Sequence, residues 1–537
     1  MKRFKTKLLT ILIIISSLSF YYCWDVRKID KDHEEAQGII LNLPADALVN
    51  CPKWGADIDS ISAQQTIYAL HEFIDQYANT QVNKLFFNVN YLRSCYESEV
   101  MTPYWDVPNP STDMTDWPKK FWKVHKKGVD LFEICIQRTR DNKISPWLSF
   151  RMNDHHYRED PTRLNKLMLT NPELRLSPKE SFDYGNAKVR DYYKAFIEEA
   201  LGKYDVDGIE LDWMRTFYLF KPGEEENGIE LLNEFMRDIR EISKKQDKNI
   251  QVAVRVPVTP AIGRKYGLDA VAWAKYGLVD IIIPSNYWYP TNLDIPVETW
   301  KAEIGANSSC IIAPGADLAF RCVEDWRTIV MHNSIETMRA FAVNAYSRGA
   351  GAVYLFNHFD WVIDKWTVDE DGEKVVSNDK PVIINEGGKM ETVRGKPRIH
   401  VLTFASPDTG KIEAKLPRLI DKENTATFEI YTGPKPVTGK YIVRIGLDSL
   451  NGFHDAVFNV SVNGTKANQL GDLLKDTVSS IDKTNQIHVA KNLTEVAERV
   501  MQFEARAKIL NAGYNTIEVG LESNMKQKVI WLEVYIH

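Results

Sequence analysis

Val206-Asp207-Gly208-Ile209-Glu210-Leu211-Asp212-Trp213-Met214-Arg215 reads as a short buried strand that ends in polar chemistry. Side chains alternate along a strand, so Glu210, Asp212 and Met214 share one face, and Ile209, Leu211 and Trp213 the other. Two carboxylates on a core strand are costly unless they are paired, hydrogen-bonded or used. Asp212 falls at the strand's C-terminal end, where parallel α/β barrels place their active sites. The stretch predicts carboxylate chemistry that opens on a cleft.

Outward from it, short apolar runs alternate with longer amphipathic ones. Strands are predicted over 38–43, 84–90, 146–152, 250–256, 279–288, 309–314 and 351–357. Helices are predicted over 62–77, 121–140, 186–204, 228–245, 268–276, 297–304 and 335–348. A long aromatic and Pro-rich loop, 91–116, follows the second strand, and loops of that length are usually functional. Strand–helix units repeated eight times, with near-continuous apolar strands, predict a (β/α)8 TIM barrel over 38–366. Residues 367–396 are charged and Gly-rich and read as a linker or excursion. Beyond Pro397, runs such as Ala426–Tyr431, Ala456–Val462 and Val529–Tyr535 alternate with period two between turn residues. They predict a C-terminal β-sandwich domain over 397–537.

The 537 residues are too many for one ordinary domain, and 44% hydrophobic with 26% charged residues suits a globular chain with a sizeable core. A net charge of −6 gives no reason to expect nucleic acid or an acidic membrane surface as partner. Residues 1–23 read as an export signal: Met-Lys-Arg-Phe-Lys-Thr-Lys, then an apolar run from Leu8 to about Phe20, too short to favour a spanning helix. Residues 24–37 are a polar spacer. Cys23 closes the signal, but Tyr21 and Tyr22 stand where a lipoprotein cleavage site has small residues. Lipid anchoring at Cys23 and plain export to periplasm, surface or medium both stay open. The other five cysteines show no CxxC or Cys/His metal spacing, and Cys310 and Cys322 fit either a disulfide or free thiols. Fourteen Trp and twenty-three Tyr suit stacking on sugar rings as well as ordinary packing.

Asp207 to Trp213 resembles the fourth-strand signature of several glycoside hydrolase barrels. In chitinase-like enzymes the pattern is Asp-Gly-x-Asp-x-Asp-x-Glu, with the last Glu as proton donor. Glu210 and Asp212 match the two inner acidic positions, but Met214 stands in the donor's place, which argues against substrate-assisted chitinase chemistry. The closer resemblance is to family-10-like and α-amylase-like barrels; in the latter an Asp at this strand end is the nucleophile. Residues 182–192, 276–287 and 395–403 add to a resemblance that covers roughly 35 to 405. It implies an exported glycosidase acting on a polysaccharide or oligosaccharide. The competing reading is a surface protein that binds carbohydrate on a barrel without catalysis.

Glycosidic hydrolysis takes two carboxyl groups, one to protonate the leaving oxygen and one as nucleophile or base. Asp212 is the expected member of the pair. Glu210 is in phase but deeper, and Asp154 and Asp317, at the ends of the third and seventh strands, are the expected facing acids, with turn or cap chemistry as their alternative. Arg151, Asn153, His155, Arg215, Arg255, Asn286, Tyr287, Trp288 and His358 fall at strand ends as candidate substrate contacts. Arginines buried there need anionic partners. They either pair with Glu210, Asp212 and Asp154, or one of them meets an acidic group on the glycan. His155 and His156 lack a third ligand at zinc spacing, so neither metal nor cofactor is expected.

Overall fold

The computed structural model describes residues 37–50, 58–114, 116–156, 160–176, 181–216, 218–246, 248–287, 290–322, 328–358, 379–402, 415–473, 487–490 and 492–537. The predicted export signal, Cys23 and Trp288 lie outside the described residues.

Parallel strands β1 (Ile39–Leu43), β2 (Val82–Asn88), β3 (Ser145–Arg151), β4 (Gly208–Asp212), β5 (Gln251–Val256) and β6 (Ile281–Pro284) pair in sequence order. The seventh run is broken into β7 (Ile311–Ile312) and β8 (Gly315–Ala316) by Pro314, which has no N–H for the ladder. A hairpin, β9 (Ala319–Arg321) and β10 (Thr328–His332), precedes β11 (Val353–Leu355). Because β7 pairs with β6, β8 with β11 and β11 with β1, the sheet closes on itself. This is the (β/α)8 barrel expected from the strand–helix alternation.

Its interior is packed. Ile40, Phe86, Trp147, Ala253, Ile283, Tyr354 and Phe356 form one buried cluster inside the ring, while Leu41, Leu85, Leu148, Ile209, Leu211 and Trp213 face the helices. Phe86 stacks on Trp147 with centroids 4.7 Å apart. Gly208 lies opposite that indole, where a Cβ would come within 2.5 Å of the ring, so the glycine that opens β4 makes room for the aromatic floor. Above this floor the inward faces of β3, β4 and β5 turn polar in step: Ser149 lies in register with Glu210, and Arg151 with Asp212 and Arg255.

Two elements depart from the periodicity reading. The helix expected over 121–140 is two helices, Asp116–Lys126 and Leu131–Asp141, separated by Gly128 at φ 71° and restarted by Asp130, whose carboxylate accepts the Phe132 and Glu133 N–H groups. The stretch read as a linker carries, in its described part, the helices Asp379–Glu386 and Met390–Val393. They are held to the barrel by Arg339 on Glu386 (2.9 Å) and by Gln81, which accepts from the Gly388 N–H at 2.7 Å.

The C-terminal part is two antiparallel sheets. One contains Arg398–Leu402, Gln527–Ile536, Lys440–Leu447, Arg499–Arg506 and Asn468–Leu473, with Arg418–Ile420 paired to Gln527–Ile536; the other contains Ala426–Tyr431, Tyr514–Leu521, Phe458–Val462 and Thr465–Lys466. Inward residues Phe428, Ile430, Val443, Val460, Phe503, Val519 and Leu532 form its core, a β-sandwich. It is tied to the barrel. Arg348, at the end of helix Ile335–Ser347, lies 3.8 Å over the Tyr431 ring, bonds the Tyr514 hydroxyl at 3.1 Å and pairs with Asp294. The strand Ile487–Ala490 from the sandwich side also pairs in parallel with β10.

Candidate active site at the barrel mouth

Asp212 is 1% exposed. Its Oδ1 accepts the Met214 N–H at 2.9 Å, and its Oδ2 accepts from Arg255 Nη1 at 3.3 Å. Arg255, equally buried, also donates through Nε to Ser285 Oγ at 2.9 Å and stacks 3.9 Å from the Phe356 ring. The expected opening of Asp212 onto a cleft is not what the structure shows: the carboxylate is enclosed and neutralised by the arginine one strand over.

Glu210 sits one layer below, 0% exposed. Asn42 Nδ2, from the end of β1, donates to its Oε2 at 2.9 Å and to Ser149 Oγ at 3.1 Å. Its Oε1 and the Tyr354 hydroxyl make no hydrogen bond within ordinary limits, although they face each other. Burial, then the neighbouring Asp212, push the Glu210 carboxyl up to about 7.

Asp154, also enclosed, accepts from Arg151 Nη1 at 2.8 Å, and its other oxygen takes the His156 N–H and faces His156 Nδ1, each at 2.6 Å. Burial alone would raise Asp154, but His156 and Arg151 outweigh it and hold the carboxyl well below its usual range. Arg151 itself lies 3.9 Å over the Tyr91 ring. The His156 side chain is 38% exposed, which puts this dyad at the solvent edge of the mouth.

A fourth carboxylate completes the mouth. Asp46, on the short helix Ala45–Val49 after β1, accepts the Tyr91 hydroxyl and lies in the field of Arg151 and His156. Burial raises its pKa, and the Tyr91 bond and Arg151 only partly offset the rise. Sequence reading passed over Asp46 because Leu-Pro-Ala-Asp looks like an ordinary helix start. Its place just past the C-terminal end of β1 was the available signal.

The remaining candidates divide by what they touch. Asn153 holds the loops together, donating to the Phe182 and Tyr218 carbonyls at 3.1 Å each and accepting the Phe182 N–H at 3.0 Å. His155 is bonded through Nδ1 to Thr216. Asp317 is turn chemistry: its carboxylate takes the Leu318 N–H at 2.7 Å and Asn357 Nδ2 at 3.1 Å, and His358 Nε2 lies 3.0 Å from its carbonyl. Asn286 is buried and Tyr287 half-buried at the end of β6. Cys310 and Cys322 are free thiols. Among the described residues no three His, Cys, Asp or Glu side chains gather as a metal site. A cavity of about 230 Å³ lies on the barrel flank, lined by Tyr96, Trp105, His125, Asp130 and Lys203, and shares no residue with the mouth.

No family model matches the chain, and no curated protein matches it. Solved structures resemble it at low identity. The glycoside hydrolase domain of PgaB (BpsB) from Bordetella bronchiseptica is 12% identical, over 66% of this chain and 99% of that one, with a TM-score of 0.38. Alpha-L-fucosidase isoenzyme 1 from Paenibacillus thiaminolyticus is 12% identical, over 92% of this chain and 99% of that one, with a TM-score of 0.34. Similarity of this order says nothing about chemistry, which rests on the mouth itself.

Proposed function

We propose that this chain hydrolyses glycosidic bonds at the mouth of its barrel, with Asp46 as proton donor and Asp154, acting through His156, as base. The observation that carries the reading is that one arginine links two carboxyls: Arg151 bonds Asp154 at 2.8 Å and lies 3.9 Å over the ring of Tyr91, whose hydroxyl bonds Asp46. In that setting Asp46 is raised and Asp154 lowered. Environments that push two acids apart are how one site supplies a donor and an acceptor near neutral pH. Asp154 is enclosed, but it orients the part-exposed His156 ring, whose Nε2 lies 3.0 Å from Arg215 Nη2. Asp212 then acts by holding Arg255, and Glu210 supports the floor. The basic and apolar N-terminal stretch supports export of the enzyme.

The test is release of reducing ends across diverse glycans, acidic ones included, by the full chain and by Asp46→Asn. Turnover that disappears in Asp46→Asn supports the reading; turnover unaffected by it ends this assignment. A second reading, carbohydrate binding without catalysis, is favoured by the enclosed Asp212–Arg255 pair and by Met214 in the donor's place. It predicts saturable glycan binding and no reducing ends from any substrate.

A further inference from the structure

Three arginines reach the mouth, and the structure treats them unequally. Arg151 has Asp154 at 2.8 Å and Arg255 has Asp212 at 3.3 Å. Arg215 has no carboxylate within ion-pair distance among the described residues. It is 8% exposed, its Nη2 lies 3.0 Å from His156 Nε2, and its Nε is buried without a hydrogen-bond partner. The group that faces it is a histidine ring and not a carboxylate, so no anion opposes the guanidinium there. A guanidinium this enclosed is costly without an anion, and an orphaned N–H adds to the cost.

The side chain lies across the mouth. Its guanidinium is 5.3 Å from the Phe356 ring at the end of β11, and it lies in the fields of Arg151, Asp154, Asp212 and Tyr287. Those neighbours come from the ends of β3, β4 and β6, so the guanidinium sits among three strand ends. A planar guanidinium can offer parallel N–H groups to a carboxylate or sulfate; here the buried Nε–H is the unpartnered donor, and Nη2 also faces His156 Nε2.

We infer that Arg215 is the subsite for an anionic substituent on the glycan, a carboxylate or a sulfate ester. This rests on the reading of the mouth as a carbohydrate site but not on turnover. Bound there, the anion satisfies the orphan Nε and neutralises the third arginine, as Asp154 and Asp212 already do for the other two. A neutral sugar does neither.

The experiment is calorimetric titration of the full chain with glucuronate, glucose and inorganic sulfate, repeated on Arg215→Gln and Arg215→Lys. Wild type is expected to bind glucuronate or sulfate at least tenfold more tightly than glucose. That preference should fall at least tenfold in Arg215→Gln and be partly kept in Arg215→Lys. Glucuronate above sulfate assigns a uronic acid, and the reverse a sulfate ester. Equal or tighter binding of glucose, a preference that survives Arg215→Gln, or no saturable binding of any probe overturns the inference. If Arg215→Gln does not fold, the Arg215→Lys series and the salt dependence of wild-type binding decide it, since an anion site weakens with salt and a neutral one does not. Asp46→Asn separates the two proposals, because it should abolish turnover and leave glucuronate binding in place.

Discussion

Asp212 and Arg255 occupy the same register position on neighbouring strands, and Arg255 Nη1 lies 3.3 Å from Asp212 Oδ2 with both side chains almost wholly enclosed. The pairing explains how the polar end of β4 is tolerated above an aromatic floor. It also moves the accessible chemistry away from β4, toward the ends of β1 and β3.

Asp212→Asn leaves Arg255 buried without its anion. Chemical denaturation should show a loss of about 3–5 kcal/mol, the usual effect of breaking an enclosed ion pair from one side. Adding Arg255→Met should recover much of that loss. A double variant no more stable than Asp212→Asn would show that the pair is not the unit that matters.

Glu210 should make stability fall as pH rises. Its folded pKa of about 7 lies above the ordinary glutamate value, so between the two the folded chain binds more protons than the unfolded one. Wild type should therefore lose stability relative to Glu210→Gln as pH climbs from about 5 to about 8. The loss should be about 1–3 kcal/mol, since each pH unit separating the folded from the unfolded pKa is worth ~1.4 kcal/mol. Melting curves of the two proteins across that range check it; parallel pH profiles would contradict it.

Tyr91→Phe tests Asp46. The Tyr91 hydroxyl bonds the ionised form and holds the Asp46 pKa down, so its removal should raise that pKa further. If Asp46 acts as the acid, the high-pH limb of kcat/KM moves upward by about one pH unit, the worth of one hydrogen bond to a charged group. Asp46→Asn should cost about 10²–10⁴ in rate, the range for a general acid, with little change in melting temperature.

Arg348→Ala should uncouple the two domains. It removes the guanidinium that joins Asp294 and the Tyr431 and Tyr514 rings. Removal leaves Asp294 with Lys415 and the Tyr514 hydroxyl, so the loss should be a partial one of about 1–3 kcal/mol. Calorimetry should show the single transition broaden or split.

Much of the architecture was legible in the chain. Period-two and helical spacing located the barrel strands to within a few residues, and the alternation of Glu210 and Asp212 against Ile209, Leu211 and Trp213 named the inward face of β4 correctly. The breaks were missed where a single residue overrides periodicity. Gly128 and Asp130 divide one apparent helix, and the seventh strand, read as ending at Pro314, resumes beyond it as β8. Short strands such as β9 and β10 carry little signal of their own.

The site was legible as a list and not as a set of pairings. Local sequence determined which residues stand at the strand ends, since that follows from a two-residue repeat and the direction of each strand. Arg151 meets Asp154 three residues on, a local contact, but the other pairings were decided by the closed sheet: it brings Arg255 to Asp212 and Asn42 to Glu210, and leaves Arg215 over. Such contacts join residues up to 168 positions apart. They depend on strand register and barrel closure, and only folding sets those.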